Sequence, residues 1–126
     1  MGEAMPTPEI EEFARILVRQ VRDKAIKDCA LHLDPKAQGE SAKRWRGLAG
    51  DQHGIDVARS LAPECVDEAI FYLLYAIDDG LLQLSFRASN GRVVDLTSEG
   101  LGELAGSYIG PDGWCDHYSK ERLVER

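Results

Sequence analysis

Apolar side chains recur at spacings of three and four from Ile10 through Phe13, Ala14, Leu17, Val21 and Ala25 to Cys29. A helix with that spacing gathers one apolar stripe and must bury it against another element, which commits the chain to a layered fold from its first element onward. The start is marked three times over. Thr7 is a good N-cap, Pro8 fits the first helical position, and Glu9, Glu11 and Glu12 put negative charge at the positive end of the helix dipole. Glu11/Arg15, Arg19/Asp23 and Lys24/Asp28 are spaced to pair along the polar side, and Pro35 disfavours helical geometry at Asp34, so the helix is expected to end near Leu33.

From Lys36 to Ala62 the signal is broken by Gly39, Gly47, Gly50 and Gly54, with short helical patches over Ser41–Leu48 and Ile55–Leu61. Pro63 then reads as the first residue of a second main helix that carries Glu64, Asp67 and Glu68 early and stops at Gly80. Val66, Ala69, Ile70, Leu73, Leu74 and Ile77 give it an inner face, and Phe71, Tyr72 and Tyr75 extend apolar surface most of the way round. That pattern predicts a central helix covered on several sides.

Leu81–Ala88 alternates, with Leu82, Leu84 and Phe86 on one side and Gln83, Ser85 and Arg87 on the other, as a half-buried strand does. Asn90-Gly91 signals a hairpin. A two-residue turn would leave Val94 and Leu96 on the polar face. A three-residue loop, Ser89-Asn90-Gly91, sets Phe86 opposite Val94 and Leu84 opposite Leu96, with Gly91 left-handed. Beyond it, Thr97 or Ser98 is placed to cap a helix whose Leu101, Leu104, Ala105 and Tyr108 share a face. Gly110–Gly113 reads as a turn, and Ser119–Arg126 as a short charged helix. The expected fold is α+β over a single domain, 1–126: a long N-terminal helix and a central apolar helix packed with a β-hairpin and short C-terminal helices.

Composition narrows the function classes. Fifteen basic against 22 acidic residues give a net charge of −7, which opposes nucleic acid and anionic membrane surfaces and favours a basic protein partner or a cation. The longest apolar run, Ala69–Ile77, is far short of a membrane span, and Met1–Pro8 lacks the apolar stretch of a secretory signal. Three widely spaced cysteines, Cys29, Cys65 and Cys115, read as reduced thiols, so a cytoplasmic setting is expected.

Several constellations invite a chemical reading. Gly100-Leu101-Gly102-Glu103-Leu104-Ala105 fits a relaxed dinucleotide fingerprint, yet the chain ends before a second parallel strand could form, so close helix packing is the reading and no cofactor is expected. Cys29 and His32 share a helix face, and Cys115 with His117 would complete a four-ligand zinc set, although separate burial explains both thiols and no metal is expected. Cys115 with His117 or His53 as base and Asp116 as orienting acid would make a thiol hydrolase. Lys43, Arg44, Trp45 and Arg46 form a basic aromatic cluster too short to hold nucleic acid, with Trp45 anchored in the core.

Two features favour binding over catalysis. Asp78 and Asp79 stand at the negative end of a helix dipole, where acid is unfavourable, and Tyr108, Trp114 and Tyr118 gather around the Gly-Pro turn. The expectation is a small acidic binding protein of inhibitor, immunity-like or adaptor type, monomeric or homodimeric, using those five residues. A Cys/His hydrolase or metal-dependent enzyme, and a structural homodimer without ligand, are the alternatives.

Overall fold

The computed structural model describes residues 7–120. Three helical segments run on without a break: α1 (Pro8–Ile16), a π-helical stretch (Leu17–Arg22) and α2 (Asp23–His32). Thr7 caps α1 by accepting from the Ile10 N–H at 3.2 Å, and Leu33 closes α2, as the sequence predicts. The stripe changes course. A π turn holds an extra residue, so the buried face passes from Ile10, Ala14 and Leu17 to Val18, Arg22 and Ile26, while Val21 is 48% exposed. The predicted positions Val21 and Ala25 therefore give way to Arg22 and Ile26, one residue on, while Cys29 stays half-buried. The Arg19–Asp23 pair is also displaced: Arg19 Nε donates to the Tyr118 carbonyl, and Asp23 takes other partners.

α3 (Glu40–Ala49) and α4 (Gln52–Asp78) follow. α4 corrects two expectations. It begins at Gln52, with Asp51 accepting from the Gly54 N–H at 2.9 Å, and absorbs both the Ile55–Leu61 patch and Pro63. Proline among early acids resembles a helix start, but here the buried Pro63 lies mid-helix, and packing outweighs the lost hydrogen bond. Nor is α4 covered all round. Ile70, Leu74 and Ile77 are buried, while Tyr72 is 62% exposed, Tyr75 49% and Leu73, expected inside, 41%. α4 ends in paired bonds from Leu81 N–H to Ala76 and Gly80 N–H to Ile77, with Gly80 at φ +75, a conformation that favours glycine.

The strands are shorter than the alternation suggests, β1 being Ser85–Arg87 and β2 Val93–Asp95. Their antiparallel register sets Phe86 opposite Val94, as predicted, and Gly91 at φ +88 closes the three-residue loop. Leu81, Leu82 and Leu84 are exposed, so the buried side of the hairpin is Phe86, Ala88 and Val94 rather than Leu82 and Leu84. Two strands cannot stand alone, and α1 clasps this pair. Glu12 accepts from the Ser89 N–H at 2.9 Å, Glu9 from the Asn90 amide at 2.9 Å, and Phe13 meets Phe86 edge-on.

The chain closes with α5 (Leu96–Glu99), α6 (Leu104–Ile109) and α7 (Trp114–Tyr118). Asp95, rather than Thr97 or Ser98, caps α5 by accepting from the Ser98 N–H. Leu101, expected on the inner face, takes φ +57 and is 57% exposed, because the chain breaks between α5 and α6. The predicted terminal helix falls outside the described residues except at Ser119 and Lys120, which are not helical, and the N-terminal segment through Pro6 also lies outside them. Ile10, Leu17 and Val18 meet Ile70, Leu74 and Ile77 of α4 and Leu104, Ala105 and Tyr108 of α6 in one cluster, with Val94, Leu96 and Cys115 closing its ends.

The hairpin clasp yields a pH prediction. The Asn90 hydrogen bond, then the backbone N–H at the helix start and the Arg92 charge, hold the Glu9 carboxyl below its ordinary value near 4.5. A lowered folded value means stability that is present above the unfolded value and lost as pH falls through the folded one. Urea midpoints measured at successive pH values below about 4.5 should therefore drop, and a Glu9→Gln variant should drop less steeply.

Candidate functional site

Three places concentrate polar or exposed groups that a core does not require. The first is a buried ionic hub created by the π turn. Arg22, 3% exposed, donates from Nε to Asp67 Oδ1 at 2.7 Å and from Nη2 to Oδ2 at 3.3 Å. Its Nη1 donates to Asp23 at 2.9 Å and to Ser119 Oγ at 3.0 Å, Lys120 N–H reaches Asp23 at 2.7 Å, and the Tyr108 hydroxyl donates to Asp67 at 2.7 Å. Burial opposes the Arg22 charge, but the Asp67 bond and charge outweigh it and raise its pKa. Burial first, then the Asp67 bond, also pushes the Tyr108 phenol up. Arg22 stays charged and Tyr108 stays neutral, and the hub fastens the π turn, α4, α6 and the end of α7 together.

The second place is a cleft of about 440 Å³ between the start of α1 and the Gly110–Gly113 turn, lined by Glu11, Ser107, Trp114, His117 and Tyr118 among others. It brings three sequence-flagged residues together and leaves the catalytic set apart. Cys115 is buried with the core, whereas Asp116 and His117 are exposed and Asp116 accepts from the Asp112 N–H. Residues two apart on a helix point about 200° apart, so the Cys115 thiol faces away from the His117 imidazole. His53 is exposed on the first turn of α4. Burial, then the Asp28 charge and the Cys65 thiol, push the Cys29 thiol up, opposite to the activation a nucleophile needs. The metal candidates are divided too: Cys29 and His32 lie on α2, Cys115 and His117 on α7, and among the described residues no group of three or more His, Cys, Asp or Glu could hold a metal ion. His32 instead stacks on the half-buried Trp45, 4.7 Å between ring centres, so Trp45 packs there rather than in the core.

The proposed partner residues separate in the same way. Tyr108 is 0% exposed and held by Asp67, which removes it from any contact surface. Trp114 is half-buried and packs edge-on against Phe13 at 6.1 Å. Asp78, at the unfavourable end of α4, accepts from the Leu104 and Ala105 N–H groups at 3.0 and 2.9 Å and so caps α6 across the structure. The misfit with its own helix is thus resolved by the dipole of another. That carboxylate also occupies the N–H groups at the start of α6. Gly100 serves close packing, since an added Cβ would meet the Leu104 side chain at 2.6 Å, whereas Gly102 has open space around it and serves the turn through its φ of +72. Replacing Asp78 with Ala should cost about 1 kcal/mol through the lost cap, read from urea denaturation, while Asp79→Ala should change little because Asp79 is exposed.

The third place is the outward side of α4, which the sequence pattern assigned to the interior. Phe71 leans on the core, with Tyr72 at 5.2 Å and Tyr75 at 6.2 Å between ring centres, so two exposed rings rest on a fixed third. Glu64, Glu68 and Asp79 are exposed on the same helix and its cap, and no Lys or Arg occurs between Arg59 and Arg87. Two signals in the sequence mark this side: hydroxyl-bearing aromatics opposite Ile70, Leu74 and Ile77, and the long gap in basic residues.

Across known protein families, characterised proteins and solved structures, none matches this chain.

Proposed function

We propose that this protein works by holding a basic protein partner against the outward side of α4, as an inhibitor, an antidote or an adaptor, in a cytoplasmic setting. The observation that carries the reading is the exposed Tyr72–Tyr75 pair, braced by Phe71 and set in a stretch rich in acids and lacking bases. Large aromatics are stable on a surface when a partner covers them, and tyrosine anchors an interface at low entropic cost. Acidic neighbours then steer a basic protein toward the anchors. An enzyme reading has less support, since the cleft offers a single imidazole and the nearest cysteine is turned inward.

Tyr72→Ala and Tyr75→Ala should each weaken partner binding by about tenfold, chiefly through faster dissociation, and leave the urea midpoint nearly unchanged. The measurement is dissociation kinetics on a partner recovered from the native host, with Trp114→Ala alongside. If that partner is held equally well by both tyrosine variants and lost by Trp114→Ala, the surface lies at the cleft and this reading is wrong.

A further inference from the structure

The order of residues along the outward side of α4 describes its occupant. Val57, Leu61, Glu64, Glu68, Tyr72 and Tyr75 follow one another in steps of four, three, four, four and three, and all are exposed. The pattern repeats after 11 residues, Val57 to Glu68 and Leu61 to Tyr72, so the six form a stripe nearly parallel to the helix axis, about 27 Å long. It is aliphatic at one end, acidic in the middle and aromatic at the other.

That order excludes a second copy as a good occupant. An antiparallel copy centred on the same stretch sets Glu64 against Glu68, and a parallel copy sets each glutamate against itself, in both cases drawing like charges together as water leaves. We infer that the stripe receives an amphipathic helix from a different protein, with lysine or arginine at its centre facing Glu64 and Glu68 and aliphatic residues at both ends. A ridge of this length along one helix is matched by another helix presenting side chains at the same spacing. The central cations satisfy the glutamates, and the ends cover Val57 with Leu61 and Tyr72 with Tyr75. This inference rests on the proposed binding role of the α4 face and adds the chemistry of the partner.

The probe is a fluorescent synthetic helix of about 20 residues, with leucines toward both ends and two lysines at the central facing positions, titrated with the full chain. The same peptide with glutamates at those two positions should bind at least about tenfold more weakly. Glu64→Gln with Glu68→Gln should bring the two peptides close to parity, and Glu64→Lys with Glu68→Lys should reverse the preference. Equal binding of both peptides, no binding of the lysine peptide, or a preference unmoved by the charge swap would overturn the inference. Sedimentation should find the chain alone monomeric, and a dimer that dissociates on Tyr72→Ala would overturn it in favour of a second copy. If the peptides fail while Tyr72→Ala and Tyr75→Ala still weaken a recovered partner, the face is right and its stated occupant wrong. If those tyrosine changes are silent as well, both fall.

Discussion

Replacing Asp67 with Ala should lower the unfolding free energy by about 3 kcal/mol or more, read from urea denaturation, because the change strips a buried cation of its bidentate acceptor. Arg22 is 3% exposed and would keep Asp23 and Ser119 on one nitrogen while Nε and Nη2 lost their acceptor. Tyr108, fully buried, would lose the carboxylate its hydroxyl donates to. A buried ion pair is nevertheless poor evidence of net stabilisation, since desolvation offsets much of its attraction. The joint variant Arg22→Met with Asp67→Leu should therefore be more stable than Asp67→Ala alone, Asp23 retaining Ser119 and the Lys120 N–H. A joint variant less stable than the single one would mean that the charges themselves, rather than the cost of parting them, support the fold.

The second large effect is expected at the corner between α3 and α4. A Cβ on Gly54 would lie 1.8 Å from the Ala49 carbonyl oxygen, which is backbone and cannot rotate aside. Gly54→Ala should thus push the end of α3 off the start of α4 and cost about 2 kcal/mol, despite the better helix propensity of alanine. Gly47 gives the opposite sign from the same chemistry. It lies within α3, is exposed and has open space where its Cβ would go, so Gly47→Ala should stabilise by about 0.5 to 1 kcal/mol. A urea midpoint that rises for Gly54→Ala as it does for Gly47→Ala would show that α3 and α4 do not meet as closely as this corner requires.

Features determined by neighbouring residues were legible from the sequence. Thr7, Pro8 and the acids that follow mark the start of α1, Gly80 marks the end of α4, and the alternation around Asn90-Gly91 selects the hairpin register. Each is settled within a few residues, by a cap, by a left-handed backbone or by which side chains a one-residue slip would expose.

What escaped the sequence depended on groups far apart in the chain. The π turn moves the buried face by one residue, a shift that periodicity cannot register, and so an arginine takes a core position supported by Asp67, 45 residues away. Pro63 and Asp78 each violate a local preference, and each is stabilised by contacts from other elements: packing around the proline, and the open N–H groups of α6 for the carboxylate. The candidate surface was misassigned for a related reason. Phe71, Tyr72 and Tyr75 extend the apolar circumference of α4, and hydrophobicity alone predicts that they are covered. Which sides of a helix are covered depends on how many elements reach it. The π turn, α2, α3, α5 and α6 pack on α4 and leave Tyr72 and Tyr75 facing outward. Sequence by itself determined where the principal helices and the hairpin lie; only tertiary packing decided which of their polar and aromatic groups are buried and which remain at the surface.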